Sequence, residues 1–227
     1  QMKKKDIKWS NLYFDDLDKQ SLLKCFHSKD ISGFSNMVKA FENKLKKKFN
    51  SKYAIACNSG TAALQVAMIA AKKYLNKKII KIAVPTWSYI APANAADSIG
   101  VLKLFDSEKK TGNIDYKKIK NVDVICAVDF AGIPSDYKKI KLHKKFIISD
   151  AAESLGSKYY NKQISSFADI TTTSFFPAKP LGCYGDGGAI FTDDDELADK
   201  IDSIRLHGKG NQKYDNIRIG LNSRLDT

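Results

Sequence analysis

Tyr53-Ala54-Ile55-Ala56-Cys57-Asn58-Ser59-Gly60-Thr61 decides how the rest of the chain is read. Its first five residues form a short apolar strand. The next four turn the chain, and residues 62–73 are small and apolar nearly all round, which predicts a buried helix. A strand followed by a tight turn and a covered helix is the unit of an α/β protein. The Ser-Gly-Thr turn would also place free backbone N–H groups and a hydroxyl at the positive end of a helix dipole, a ready cup for phosphate. The plainer reading of the same residues is a helix N-cap, where Ser and Thr are favoured in any case.

Working outward, the same rhythm continues. Strands are expected at 78–84, 101–105, 122–130, 146–149 and 189–192. Helices are expected at 91–98, 116–120, 136–142 and 193–206. Apolar strands without alternation, separated by helices, predict a mainly parallel sheet covered on both faces, a three-layer α/β/α architecture. In such sheets ligands sit beyond the carboxyl ends of the strands. Ser59, Gly60, Thr61, Trp87 and Asp150 all fall at those ends. Towards the N-terminus, residues 1–50 read as an arm with helices. Leu17, Leu22, Leu23 and Phe26 make a loose helical stripe, and Met37, Phe41, Leu45 and Phe49 recur at spacing four.

The second decisive stretch is Ser174-Phe175-Phe176-Pro177-Ala178-Lys179-Pro180-Leu181-Gly182-Cys183-Tyr184-Gly185-Asp186-Gly187-Gly188. One lysine stands between a β-prone aromatic run and a glycine-rich turn. Glycines permit close backbone approach to a ligand, and a lysine held in a partly dry pocket becomes nucleophilic. A hairpin turn that happens to carry a lysine is the alternative.

Composition bounds the rest. The 227 residues carry 38 Lys and Arg against 25 Asp and Glu, a formal charge of +13. The lysines are spread along the chain, with no helix-turn-helix, finger or RNP pattern, so no nucleic-acid role is expected. A preference for small anionic molecules fits the balance better. No apolar run is long enough to span a bilayer, no apolar stretch follows the basic N-terminus, and no membrane role or signal peptide is expected. The four cysteines (Cys25, Cys57, Cys126, Cys183) lack metal-ligand spacing, which predicts no metal site and free thiols in a reducing cytoplasm.

With these residues in view, the sequence resembles the DegT family of nucleotide-sugar aminotransferases, pyridoxal-phosphate (PLP) enzymes of the aspartate-aminotransferase fold. The resemblance is carried by Asn58-Ser59-Gly60-Thr61-Ala62-Ala63-Leu64, Val84-Pro85-Thr86-Trp87-Ser88-Tyr89-Ile90-Ala91, Asp150-Ala151-Ala152-Glu153-Ser154-Leu155-Gly156 and Ser174-Phe175-Phe176-Pro177-Ala178-Lys179. Gly185-Asp186-Gly187-Gly188, Arg205-Leu206-His207-Gly208 and Gly220-Leu221-Asn222-Ser223-Arg224 continue it in the same order.

The resemblance implies a PLP-binding large domain over 51–227, and a further small C-terminal domain in relatives that this sequence does not contain. It implies catalytic roles for Lys179, which joins the cofactor's aldehyde and carries protons, and Asp150, which keeps the pyridine nitrogen protonated. Ser59, Gly60, Thr61 and Ser174 would hold the phosphate, Trp87 would stack on the ring, and Glu153 would lie near its phenolic oxygen. Asn222 would reach the phosphate of a neighbouring subunit, making a homodimer with shared sites. Many relatives carry Gln where this chain has Glu153. Some relatives are dehydratases with His in place of the lysine, and Lys179 argues against that branch. The expected reaction is transamination of a nucleotide-linked keto sugar, with glutamate as donor, for polysaccharide or glycan biosynthesis. In its motifs the chain is similar both to 3-keto UDP-hexuronic acid aminotransferases and to perosamine-type 4-keto enzymes. A non-catalytic binding domain, or half of a split enzyme, is the alternative.

Overall fold

The computed structural model describes residues 12–212 and 214–227, so residues 1–11 of the expected arm lie outside the described residues. In chain order the helices are α1 (Asp16–Ser28), α2 (Asn36–Phe49), α3 (Gly60–Tyr74), α4 (Ala91–Ile99), α5 (Tyr137–Ile140) and α6 (Asp195–Arg205). The strands are β1 (Tyr53–Cys57), β2 (Lys81–Pro85), β3 (Val101–Phe105), β4 (Val124–Val128), β5 (Phe146–Asp150), β6 (Lys158–Tyr159), β7 (Lys162–Gln163), β8 (Ile170–Ser174) and β9 (Gly188–Thr192).

Seven strands form one sheet in the order β3-β2-β4-β5-β8-β9-β1. Neighbours from β3 to β8 run parallel, whereas β9 is antiparallel to both β8 and β1. Only β9 therefore opposes the rest, because it returns directly from β8 through the 175–187 connection. All six parallel strands point their carboxyl ends at one edge, and the 175–187 connection crosses that edge. Lys179 is placed by this reversal.

Alternation along the strands builds two cores, since successive side chains point to opposite faces. Ile82, Val84, Val124, Cys126, Ile148 and Ile190 pack with α3, α4 and α6 on one face. Ala83, Ile125, Ala127 and Ile147 meet Tyr137 and Ile140 of α5 on the other. On that second face α2 also sends Leu45 and Phe49 against Ala54, Ala189 and Phe191. The result is the expected α/β/α layering. Alanines at 63, 67, 70 and 71, all fully buried, let α3 lie close against the sheet.

Several boundaries differ from expectation, each for a local reason. The strand expected to run through Phe130 stops at Val128. There the carboxylate of Asp129, fully buried, accepts from Ser135 N at 2.8 Å and folds the chain back. The helix expected at 116–120 is a single 3-10 turn, Tyr116–Lys118, and the one at 136–142 is α-helical only over Tyr137–Ile140. β8, with its Ile-Thr-Thr-Thr-Ser sequence, is buried with two of its hydroxyls bonded inward, Thr172 Oγ1 donating to Ser149 O and Thr173 Oγ1 to Ala151 O, while Thr171 Oγ1 has no partner among the described residues. The stripe on α1 is helical, with a capping box at Asp15 and Asp18, yet none of its residues is buried. Leu17, Leu22, Leu23 and Phe26 are all exposed. On α2 it is Val38, Leu45 and Phe49 that are buried, and Met37 faces solvent.

Candidate active site

At the carboxyl edge lies a cavity of about 500 Å³. One wall is the start of α3. Ser59 Oγ accepts from Ala62 N at 3.1 Å, so its side chain is the N-cap. Gly60 and Thr61 follow in the first turn, where N–H groups have no partner within the helix. A Cβ on Gly60 would stand 2.6 Å from Ser174 Cβ, so only glycine lets α3 begin against the end of β8. Ser174 Oγ is itself an acceptor, from Phe176 N at 3.2 Å.

The opposite wall carries three carboxylates. Asp150 ends β5 and is buried, with Ala152 N donating to its Oδ1 at 3.1 Å. Among the described residues its second oxygen has no hydrogen bond. Burial pushes its pKa up to about 6; the Ala152 N–H and the Lys179 ammonium oppose this, while Asp129 and Glu153 add to it. Asp129 follows β4 and also lines the cavity. Tyr137 Oη, Ser135 N and Ser154 Oγ each donate to it at 2.8 Å, and burial still raises it to about 6. Glu153 is more open: its Oε2 accepts from Ala131 N at 2.8 Å and its Oε1 from Lys179 Nζ at 3.1 Å. Ala131 holds a left-handed backbone, φ 51°, which turns its N–H towards Glu153. Asp129 thereby clamps two segments, through Ser135 and Ser154, that meet at the carboxylate paired with Lys179.

Of the residues expected from the sequence, Ser59, Gly60, Thr61, Asp150, Glu153, Ser174 and Lys179 share this cavity. Trp87 and Asn222 do not line it. Trp87 is 61% exposed and meets Phe130 edge-on, centroids 5.9 Å apart. Tyr89, two residues on, lines the cavity instead. Residues 86–88 are bends, which break the two-residue alternation of a strand, and the sequence alone did not separate these two aromatics. Asn222 is exposed on a segment bridged to Leu206, with its carbonyl near Asn58 Nδ2. Tyr89, Asp129 and Asp186 also line the cavity and were missed as site residues in the sequence. The signal for Asp129 was a charge inside an apolar run.

The donor set fits PLP. A buried carboxylate with one free oxygen suits a protonated pyridine nitrogen, an amine stands across the cavity, and the open helix start suits a phosphate. Among the described residues no cluster of His, Cys, Asp or Glu could hold a metal ion. Cys57 and Cys126 are buried, and burial raises both thiols, Cys57 to about 12, which makes them inert.

A mainly parallel seven-stranded sheet, with a lysine delivered across its carboxyl edge by one antiparallel strand, defines a transferase fold of the PLP-dependent kind. The chain belongs to the DegT/DnrJ/EryC1/StrS aminotransferase family, whose sequence profile matches residues 13–227. It is 38% identical over 200 residues to a UDP-2-acetamido-2-deoxy-3-oxo-D-glucuronate aminotransferase of Pseudomonas aeruginosa, covering 84% of this chain and 55% of the relative. It is 34% identical over 223 residues to a GDP-perosamine synthase of Escherichia coli O157:H7, covering 92% and 59%. Among solved structures, Helicobacter pylori PseC, an aminotransferase involved in the biosynthesis of pseudoaminic acid, superposes with a TM-score of 0.87 at 29% identity, covering 98% of this chain and 62% of that one. NtdA of Bacillus subtilis with bound cofactor PMP superposes at 0.83 with 29% identity, covering 92% and 49%. The chain thus spans between 49% and 62% of the length of these relatives.

Proposed function

We propose that this protein binds PLP and transfers an amino group, from glutamate, to a keto sugar carried by a nucleoside diphosphate, in surface-polysaccharide or glycan biosynthesis. The observation that carries the reading is the convergence of Lys179, Asp150 and the open start of α3 on one cavity. Similarity to relatives acting on UDP- and GDP-linked sugars supports the substrate class. When bound, PLP supplies an electron sink for the carbon that gains or loses the amino group. Asp150 holds the proton on the pyridine nitrogen. Lys179 Nζ anchors the cofactor and moves the proton at the reacting carbon, and Glu153 keeps that amine over the cavity. Gly60 and Thr61 N–H groups hold the phosphate, with Ser59 fixing the turn and Ser174 adding its hydroxyl. Because Tyr89 lines the cavity and Trp87 does not, we assign the aromatic contact with the ring to Tyr89.

We read residues 51–227 as the PLP-binding large domain and 1–50 as an N-terminal arm. We further propose a homodimer, with Asn222 directed to the partner's phosphate site, and a cytoplasmic location, where free thiols and nucleotide sugars coexist. Borohydride reduction after PLP addition and desalting, followed by peptide mapping, tests the cofactor site. The label is expected on Lys179 and absent from Lys179→Ala; label elsewhere, or none, would sink the reading. A labelled Lys179 without any spectral conversion by glutamate would instead leave a binding domain without turnover.

A further inference from the structure

The edge of the sheet opposite the cavity, where the parallel strands begin, carries a different chemistry. Lys77, Lys78 and Lys81 precede or open β2, and Lys141, Lys144 and Lys145 precede β5; all six are exposed. The ladder aligns Ile82 with Val124 and Val124 with Phe146. Lys81, Asp123 and Lys145 therefore stand in one row across β2, β4 and β5, about 10 Å from end to end.

Two aliphatic side chains rise among these lysines. Leu142 is 77% exposed and Ile79 66% exposed. Leu142 sits in the turn Lys141-Leu142-His143-Lys144-Lys145, held out by the left-handed backbone of Lys144, φ 52°. His143 turns away, its Nε2 bonded to Tyr116 O at 2.8 Å.

Asp123 and Asp169 offset part of this charge, Asp123 by an ion pair with Lys77, which leaves Lys78, Lys81, Lys141, Lys144 and Lys145 without an ion pair among the described residues. Asp123 is engaged by Lys77 Nζ at 2.5 Å and Lys81 N at 2.8 Å. Asp169, beside Lys141, accepts from Ile147 N at 2.7 Å. The acidic start of α6 lies beyond β9 and is engaged by Lys52, Tyr53 and Tyr74.

We propose that this edge is a peripheral docking surface for anionic membrane lipid, a membrane role not expected from the sequence. Lysines draw the edge to the negative headgroup layer, each contributing roughly a fivefold gain in partitioning, and Leu142 and Ile79 enter the acyl boundary between them. Single-stranded nucleic acid fits less well. The face offers lysine point charges and aliphatics, whereas strand binding relies on stacking on aromatic rings and on Arg. Docking here leaves the cavity facing away from the membrane and open to substrate, and it is independent of the reaction proposed above.

Co-sedimentation of the purified protein with vesicles tests this. Binding is expected to equimolar phosphatidylcholine and phosphatidylglycerol, to be weak on phosphatidylcholine alone, and to fall with added salt. Leu142→Ser is expected to lower the partition coefficient about tenfold, and Lys144→Glu with Lys145→Glu at least about tenfold. Lys109→Glu with Lys110→Glu, the same change in net charge on an exposed turn beyond β3, should retain binding. The proposal is overturned if the two vesicle types bind alike, or if the two charge-reversed proteins bind alike. It is also overturned if Leu142→Ser has no effect while poly(U) binds more tightly than the vesicles, which would make the face a nucleic-acid surface.

Discussion

Asp150 and Asp129 lie side by side beneath the cavity, joined by Asp129 N donating to Asp150 O at 3.1 Å, yet their deletion should have opposite effects. Both carboxyls have folded-state pKa values raised to about 6, above the ordinary value. A raised carboxyl binds its proton more tightly in the folded state, so stability falls as pH climbs from about 4 to about 6 and stays reduced above. Asp150 has one hydrogen bond to lose. Asp150→Asn in the cofactor-free protein is therefore expected to gain about 1–3 kcal/mol at pH 7.5 and nothing near pH 4, read by urea unfolding at both pH values. The same variant should lose PLP retention. Asp129 accepts from three donors, all on buried residues; without it Ser135 N and Ser154 Oγ lose their acceptor, while Tyr137 Oη keeps Ser149 Oγ as a partner. Asp129→Ala is expected to cost about 2–4 kcal/mol in the same assay and to loosen the Glu153–Lys179 pair. Asp150 was legible in the sequence because it ends an apolar run before a small-residue turn. Asp129 showed in the sequence only as a charge inside an apolar run; what makes it a site residue is a tertiary hydrogen-bond set drawn from residues 135, 137 and 154.

At the scale of elements, the site depends on how closely α3 approaches the β8–β9 hairpin. A Cβ on Gly60 would overlap Ser174, and one on Gly188 would stand 2.6 Å from Ser59 O. Gly60→Ala must push α3 and β8 apart, an overpacking cost of about 1–3 kcal/mol, and PLP retention should fall with it. Ser59→Ala removes only the cap. Its expected cost is about 1 kcal/mol in thermal or urea unfolding, with weakened but measurable PLP binding. Equal loss of cofactor in the two variants would show that the hydroxyl of Ser59, and not the spacing of α3, governs the phosphate end. The strand–turn–helix order around these residues was readable from local pattern. The contact between residues 60 and 174, distant in sequence, was not.

On the scale of the whole molecule, the largest departure from expectation is α1, a well-capped helix with its apolar residues in solvent. Its aromatic neighbour Phe14 stacks on Tyr184, centroids 4.8 Å apart, and Cys25 Sγ meets Met37 Sδ at 3.3 Å. Tyr184 also hydrogen-bonds Asp18 of α1. If the protein is the homodimer proposed above, sedimentation equilibrium should give twice the chain mass at micromolar concentration; a monomer there would remove Asn222 from the site. The sequence by itself determined the α/β alternation, the lysine and aspartate of the site, and the family. These rest on local periodicity, on strand ends and on short motifs, all of which are written in consecutive residues. The tertiary structure alone decided that β9 runs against its neighbours, that Tyr89 and not Trp87 reaches the cavity, and that Asp129 joins it. It alone gathered lysines from positions 77–81 and 141–145 onto one edge. Each of these depends on which distant segments lie side by side, and strand order and burial fix that only once the chain has folded.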